Sequence, residues 1–170
     1  ASMNLAAPRP SRVTSDPLVR ANYGAVKPDA AIAGQVVCCV WEEYGPDASN
    51  QGAFYGFWDV TNDTPRPISG PTKFSSVTSC MRVVSVAGRY FIATGYDSSG
   101  FIYSCAYDIN AATWSFSAPS SIEQTNDNQY GLCPTYDATT GAYVAYISKG
   151  TGNITVKALS TAGAVTATRS

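Results

Sequence analysis

The chain of 170 residues contains no histidine. That absence excludes Ser-His-Asp and Cys-His catalysis, histidine-bound zinc and proton shuttling by imidazole. Charge is also scarce. Only 14% of residues are charged, with three Glu and four Lys, the side chains that usually coat exposed helix faces. A net charge of −1 gives no basic patch for nucleic acid or an anionic membrane surface. The apolar runs are short, as in VVCCVW at 36–41, so no membrane span is expected. No P-loop, GxGxxG or EF-hand loop occurs, and no cofactor is implied.

What is present points to strands and turns. Aromatics make up 12% of the chain, with eleven Tyr, and there are 14 Gly. The stretch CMRVVSVAGRYFIATGYDSSGFIYSCAYD from Cys80 has a counterpart, CPTYDATTGAYVAYISKGTGNITVKALS, from Cys133. In both, a Gly follows the Cys by eight residues, at Gly88 and Gly141. A looser copy upstream places Gly34 at the same point and matches AFYGFWDV at 53–60 to FIYSCAYD at 101–108. Each copy reads as a four-stranded antiparallel meander. In the middle copy the strands are expected near 78–86, 89–96, 101–107 and 113–117. Alternation puts Phe101, Tyr103, Cys105 and Tyr107 on one face, with Ile102, Ser104 and Ala106 on the other. In the first copy, Phe54 and Trp58 share a face and Tyr55 and Phe57 share the opposite one.

Units of this size and strand number are those of β-propeller blades, which cannot cover both faces alone and must stack. The expected fold is all-β and propeller-like, with about three four-stranded blades at 27–76, 77–128 and 129–170. Residues 1–26 read as an irregular arm or linker. An open β-sandwich is the alternative fold. Three blades are fewer than the four or more that usually close a propeller. The chain is therefore expected to be a piece of a longer polypeptide, or to pool its blades with those of other subunits.

At YDINAATWS the chain resembles the β-propeller repeat of sialidases and other Asp-box proteins. Asp108 opens the turn and Thr113-Trp114 close it. The first copy, WDVTNDTPRPIS, keeps Asp59 and lacks the Trp; the third, LSTAGAVT, lacks both. The resemblance implies blade architecture over about residues 30–170 and makes the box a structural turn. In composition the chain is similar to propeller-bearing appendage and tail proteins of bacteriophages. That similarity implies a virion or an extracellular surface as its location.

Without histidine, the catalytic chemistry left is that of paired carboxylates. The acids available for it are Glu42, Glu43, Asp59, Asp97, Asp108 and Asp137. Glu42 and Glu43 are adjacent and point to opposite faces of a strand. The four aspartates sit in sequences typical of turns. Binding is the stronger signal. Trp41, Tyr44, Phe54, Tyr55, Phe57 and Trp58 crowd the first copy, and such residues either stack on sugar rings and partner surfaces or fill the wedge between blades. The leading expectation is a non-catalytic structural or adhesion module whose partners are other subunits or further blades. A glycan-binding lectin and a fragment of a propeller glycoside hydrolase are the alternatives.

Five Cys occur, at 38, 39, 80, 105 and 133, with no CxxC spacing. They are expected as buried thiols without bound metal, with a disulfide from Cys80 to Cys105 or Cys133 as the other possibility. Asn62 and Asn153 begin glycosylation sequons.

Overall fold

A computed structural model describes residues 24–44, 51–61, 66–75, 77–124, 132–148 and 151–169. Of the arm expected at 1–26, residues 1–23 lie outside the described residues, as do the sequon at Asn62 and the side chain of Cys80, while residues 24–26 belong to the first strand and not to an irregular arm.

The described residues form strands and turns and no helix. The first sheet holds β1 (Gly24–Ala33), β2 (Val36–Tyr44), β3 (Gly52–Asp59) and β4 (Arg66–Lys73). The second holds β5 (Ser79–Val86), β6 (Tyr90–Tyr96), β7 (Phe101–Asp108) and β8 (Ser120–Gln124). The third holds β9 (Cys133–Asp137), β10 (Gly141–Ile147), β11 (Ile154–Leu159) and β12 (Val165–Arg169). Every ladder is antiparallel and joins strands consecutive in the chain. Each sheet is an open row, and the three stack in sequence. This replaces the two sheets that a sandwich would have.

Alternation decides what lies between the sheets. Cys38 and Val40 of β2 and Ala53, Tyr55 and Phe57 of β3 face the second sheet. There they meet Phe91, Ala93, Cys105 and Tyr107 from one face of β6 and β7. The other face of the same two strands carries Ile92, Tyr96 and Ile102, which bury against Ala142, Val144, Tyr146 and Leu159 of the third sheet. The expected period-two pattern of 101–107 thus places one strand in two cores. Each fully buried aliphatic or aromatic side chain contributes about 2 kcal/mol to that stacking.

The ladders correct the repeat alignment in detail. Val36 pairs with Asp59 and Tyr90 with Asp108. Asp59, not Val60, is therefore the counterpart of Asp108, one residue from the sequence match. Gly34 and Gly88 sit in the first hairpin loops of their sheets at φ 56 and 64, whereas Gly141, at φ 105, opens β10 and pairs with Asp137. Gly141 is therefore two residues beyond the position of Gly88. A shift of two preserves which face each side chain takes, so the burial pattern survives it.

The fourth strand of the middle sheet also differs. It runs at 120–124 and not at 113–117. Ser117 N returns to Ala106 O at 2.8 Å, and the intervening Trp114 and Phe116 pack on Phe57 instead of pairing along an edge. Burial of two aromatic rings outweighs a short ladder at that point.

In β6, Gly95 allows the close approach of a neighbouring segment. A Cβ built there would lie 2.4 Å from both Met81 Sδ and Val77 Cγ1, and 3.0 Å from Ser79 O. Gly95→Ala should cost about 2 kcal/mol by overpacking. Gly88→Ala meets no atom within 4 Å but keeps a left-handed φ, and should cost about 1 kcal/mol. Urea denaturation of the two variants checks the order; equal losses would show that the contact at Gly95 relaxes freely.

Candidate functional site

The six aromatic residues of the first copy separate into three settings. Tyr55 and Phe57 lie in the core between the first and second sheets, 3% and 0% exposed. Tyr55 stands 4.6 Å from Phe74 and 5.0 Å from Phe116 between ring centres, and its hydroxyl is 3.3 Å from Ser115 Oγ. Phe57 packs on Tyr107 at 4.6 Å. Trp41 and Phe54, cross-strand partners on the opposite face, stack at 6.4 Å and are also buried. Trp58 is half-buried, and Tyr44 is exposed. The structure does not gather the six into one surface.

The carboxylates are held in two ways. The first is turn capping, in which a side-chain oxygen accepts the backbone N–H two residues on. Asp59 accepts Thr61 N at 2.8 Å, Asp97 accepts Ser99 N at 2.8 Å, Asp108 accepts Asn110 N at 2.9 Å and Asp137 accepts Thr139 N at 2.9 Å. In the third sheet Ser160 takes the place of Asp59 and Asp108, its Oγ accepting Ala162 N at 3.3 Å. Asp108 is further clamped by Arg89, whose Nε and Nη2 donate at 2.9 and 2.7 Å. That bond and the Asn110 N–H hold the Asp108 carboxyl below the usual aspartate range. The second way is bridging between or within sheets. Asp29 accepts Val83 N of β5 at 3.0 Å from a bulge in β1 where Lys27 has φ 51.

Glu42 and Glu43 are both fully buried and, as adjacent strand residues, face opposite ways. Glu43 accepts Trp41 Nε1 at 3.0 Å. Glu42 accepts Tyr44 Oη at 2.5 Å, Ser79 Oγ of the second sheet at 3.2 Å and Lys27 Nζ at 3.3 Å.

Sequence reasoning missed a matching cluster. Glu123 of β8 accepts Ser148 Oγ at 3.0 Å, the Tyr146 hydroxyl, and Lys157 Nζ at 3.3 Å, all from the third sheet. Burial pushes the Glu123 pKa up, but the hydrogen bonds from Tyr146, Ser148 and Lys157 outweigh it and the net shift is downward. Its partners lie more than 20 residues away in the chain, so no local motif marks it.

Two clefts open at the sheet junctions. One of about 210 Å³ lies between Tyr55, Thr72 and Phe74 and the turn Ser115–Pro119 of the next sheet. The other, about 250 Å³, lies between Tyr90, Ala106 and Asp108 and the turn residues Thr161 and Ala162. Both sit where a third strand meets the following sheet's turn. No group of His, Cys, Asp and Glu among the described residues could hold a metal ion.

The thiols differ from expectation at one position. Cys38 and Cys105 are buried and Cys39 is half-buried, but Cys133 is exposed on the outer face of the third sheet. Its counterpart positions in the ladder, Asp29 and Arg82, are also polar. Cys105 and Cys133 both carry free thiols, so neither disulfide considered for them forms. Burial raises the Cys38 pKa well above its usual value and pushes that of Cys105 up to about 12.

Comparison with protein-family models, curated proteins and solved structures finds no match to this chain.

Two measurements follow. Because the folded pKa of Glu123 is depressed, its stabilisation is full above the unfolded value of about 4.3 and is lost as pH falls through the lower folded value. Glu123→Gln should cost about 1 kcal/mol at neutral pH and progressively less as pH falls below the unfolded value, so the two stability curves converge in acid; parallel curves would exclude this role. Thiol labelling should modify Cys133 in the native protein ahead of Cys38 and Cys105, and should count five free thiols after denaturation without reductant. Native labelling of Cys38 as fast as Cys133 would contradict the packing.

Proposed function

We propose that the chain is a non-catalytic structural and adhesion module, a β-propeller-like segment of a virion or cell-surface assembly. One observation carries this reading. All eight carboxylates among the described residues already accept hydrogen bonds that cap turns or join strands and sheets. None is left as a pair facing an open cleft, which hydrolysis of a glycosidic bond requires. The stacking of like sheets, with β5 against β1 and β9 against β5, supports the propeller arrangement. The Asp-box position supports it too, since it is a capped turn in each sheet. No helix among the described residues is long and apolar enough to cross a membrane.

The two junction clefts favour a second reading, a lectin. Each sets an aromatic ring beside hydroxyl groups, the pairing that binds sugar rings.

Antibodies raised against the chain should label the outside of intact virions or cells, and the chain should turn over no aryl glycoside. Label found only after lysis, or a turnover removed by Glu42→Gln or Glu123→Gln, would overturn the first reading. Saturable glycan binding lost in Ser115→Ala, with turnover still absent, would move the lectin reading to first place.

A further inference from the structure

The chain stacks sheet on sheet twice through equivalent faces, though with different side chains, and each end presents one such face again. In the second sheet the ladder pairs Ile92 with Ala106, Thr94 with Ser104 and Tyr96 with Ile102. These six side chains form the face that the third sheet covers, and Ile92, Thr94, Ser104 and Ile102 are completely buried. The third sheet repeats the ladder: Tyr143 with Ala158, Ala145 with Val156 and Ile147 with Ile154. Here nothing among the described residues lies on the face. Ile154 is 69% exposed and the other five are half-buried. The face is also more apolar than its counterpart, since Ala145 and Val156 stand where the second sheet has Thr94 and Ser104.

The complementary half is on the first sheet. The faces that the second and third sheets turn towards their predecessors are built on the pairs Phe91–Tyr107 and Ala142–Leu159. The first sheet has Val37–Trp58 in that place, with Cys39 beside them and Ile32 opposite Val37 on β1. Ile32 is 55% exposed, and Val37, Cys39 and Trp58 are half-buried.

We infer that the occupant of the third sheet's outer face is a second copy of this chain, docked head to tail through the outer face of its first sheet. The argument is continuity: the contact extends the order in which sheet covers sheet inside one chain. It rests on the reading of the chain as one element of an assembly. The contact is weaker than the internal ones. Cys133 holds the ladder position of Asp29, so the bond to a neighbouring backbone N–H is missing, and Val156 replaces the Ser104 hydroxyl that donates to Gly163 O at 2.5 Å. The association is therefore reversible and set by apolar area. A heterologous contact of this kind propagates into a ring if its rotation closes and into a string if it does not.

Mixing separates this geometry from other modes of association. In sedimentation velocity the wild-type chain should form species heavier than 17.9 kDa as concentration rises. Ile154→Asp blocks one half of the contact and Ile32→Asp the other, so each variant alone should lose every species above the monomer. A mixture of the two retains one intact half from each and should restore a dimer, and nothing larger. A monomeric wild type, or loss of association in Ile154→Asp but not in Ile32→Asp, would overturn the inference. Both positions are exposed, and Ile32→Ser and Ile154→Ser provide the same test should an aspartate unfold the chain. Monomeric behaviour would leave the surface-labelling result untouched, so failure here is distinguishable from failure of the functional reading.

Discussion

The burial of both faces of the second sheet is the constraint on which the rest of the molecule depends. A four-stranded sheet with apolar side chains on both faces is not stable in water alone, and here one neighbour lies on each face. The two gaps are filled differently. Between the first and second sheets, Tyr55, Phe57, Phe74, Tyr107, Trp114 and Phe116 form a thick aromatic layer. Between the second and third, Ser104 and Ala106 meet Gly163, where an added Cβ would lie 3.4 Å from Ser104 Oγ and 3.7 Å from Ala106 Cβ. The long turn after Asp108 carries Trp114 and Phe116 against the first sheet, and the short turn after Ser160 brings Gly163 against the second.

Polar groups at the gaps repeat a chemistry more than a position. Glu42 and Glu123 each accept from a tyrosine hydroxyl, a serine hydroxyl and a lysine ammonium. They do not occupy equivalent ladder positions, since Glu42 is on a second strand and Glu123 on a fourth. The fully buried Glu42 and the part-buried Glu123 are thus each held by the same three kinds of donor. The Ser79 bond to Glu42 and all three bonds to Glu123 cross from one sheet to the next.

Much of this was legible in the chain. The alternation of 101–107 was readable because strand periodicity is local and each side chain's face follows from its number. The opposition of Phe54 and Trp58 to Tyr55 and Phe57 followed by the same rule. The fourth strand of the middle sheet was not readable, because Trp114 and Phe116 have strand-forming side chains and only the neighbouring sheet draws them inward. The capped turn of the third sheet was hidden because Ser160 does the work of an aspartate with a different side chain. Glu123 could not be found at all, since its donors come from β10, the residue after it and β11. The clefts were hidden for the same reason, as each is closed by a turn of the following sheet.

The pairing of consecutive strands only, noted for every sheet, has a consequence for how the molecule opens and closes. Closing a short hairpin loop costs little chain entropy, so each meander can pair before the sheets meet. Docking comes afterwards and joins residues far apart in sequence. The third sheet shares a single gap with the second, and local opening there separates the two. Its departure uncovers Ile92, Tyr96 and Ile102 on strands that remain fully paired. The partly opened molecule then displays a flat, ordered apolar surface, a better template for misassembly than a fully unfolded chain.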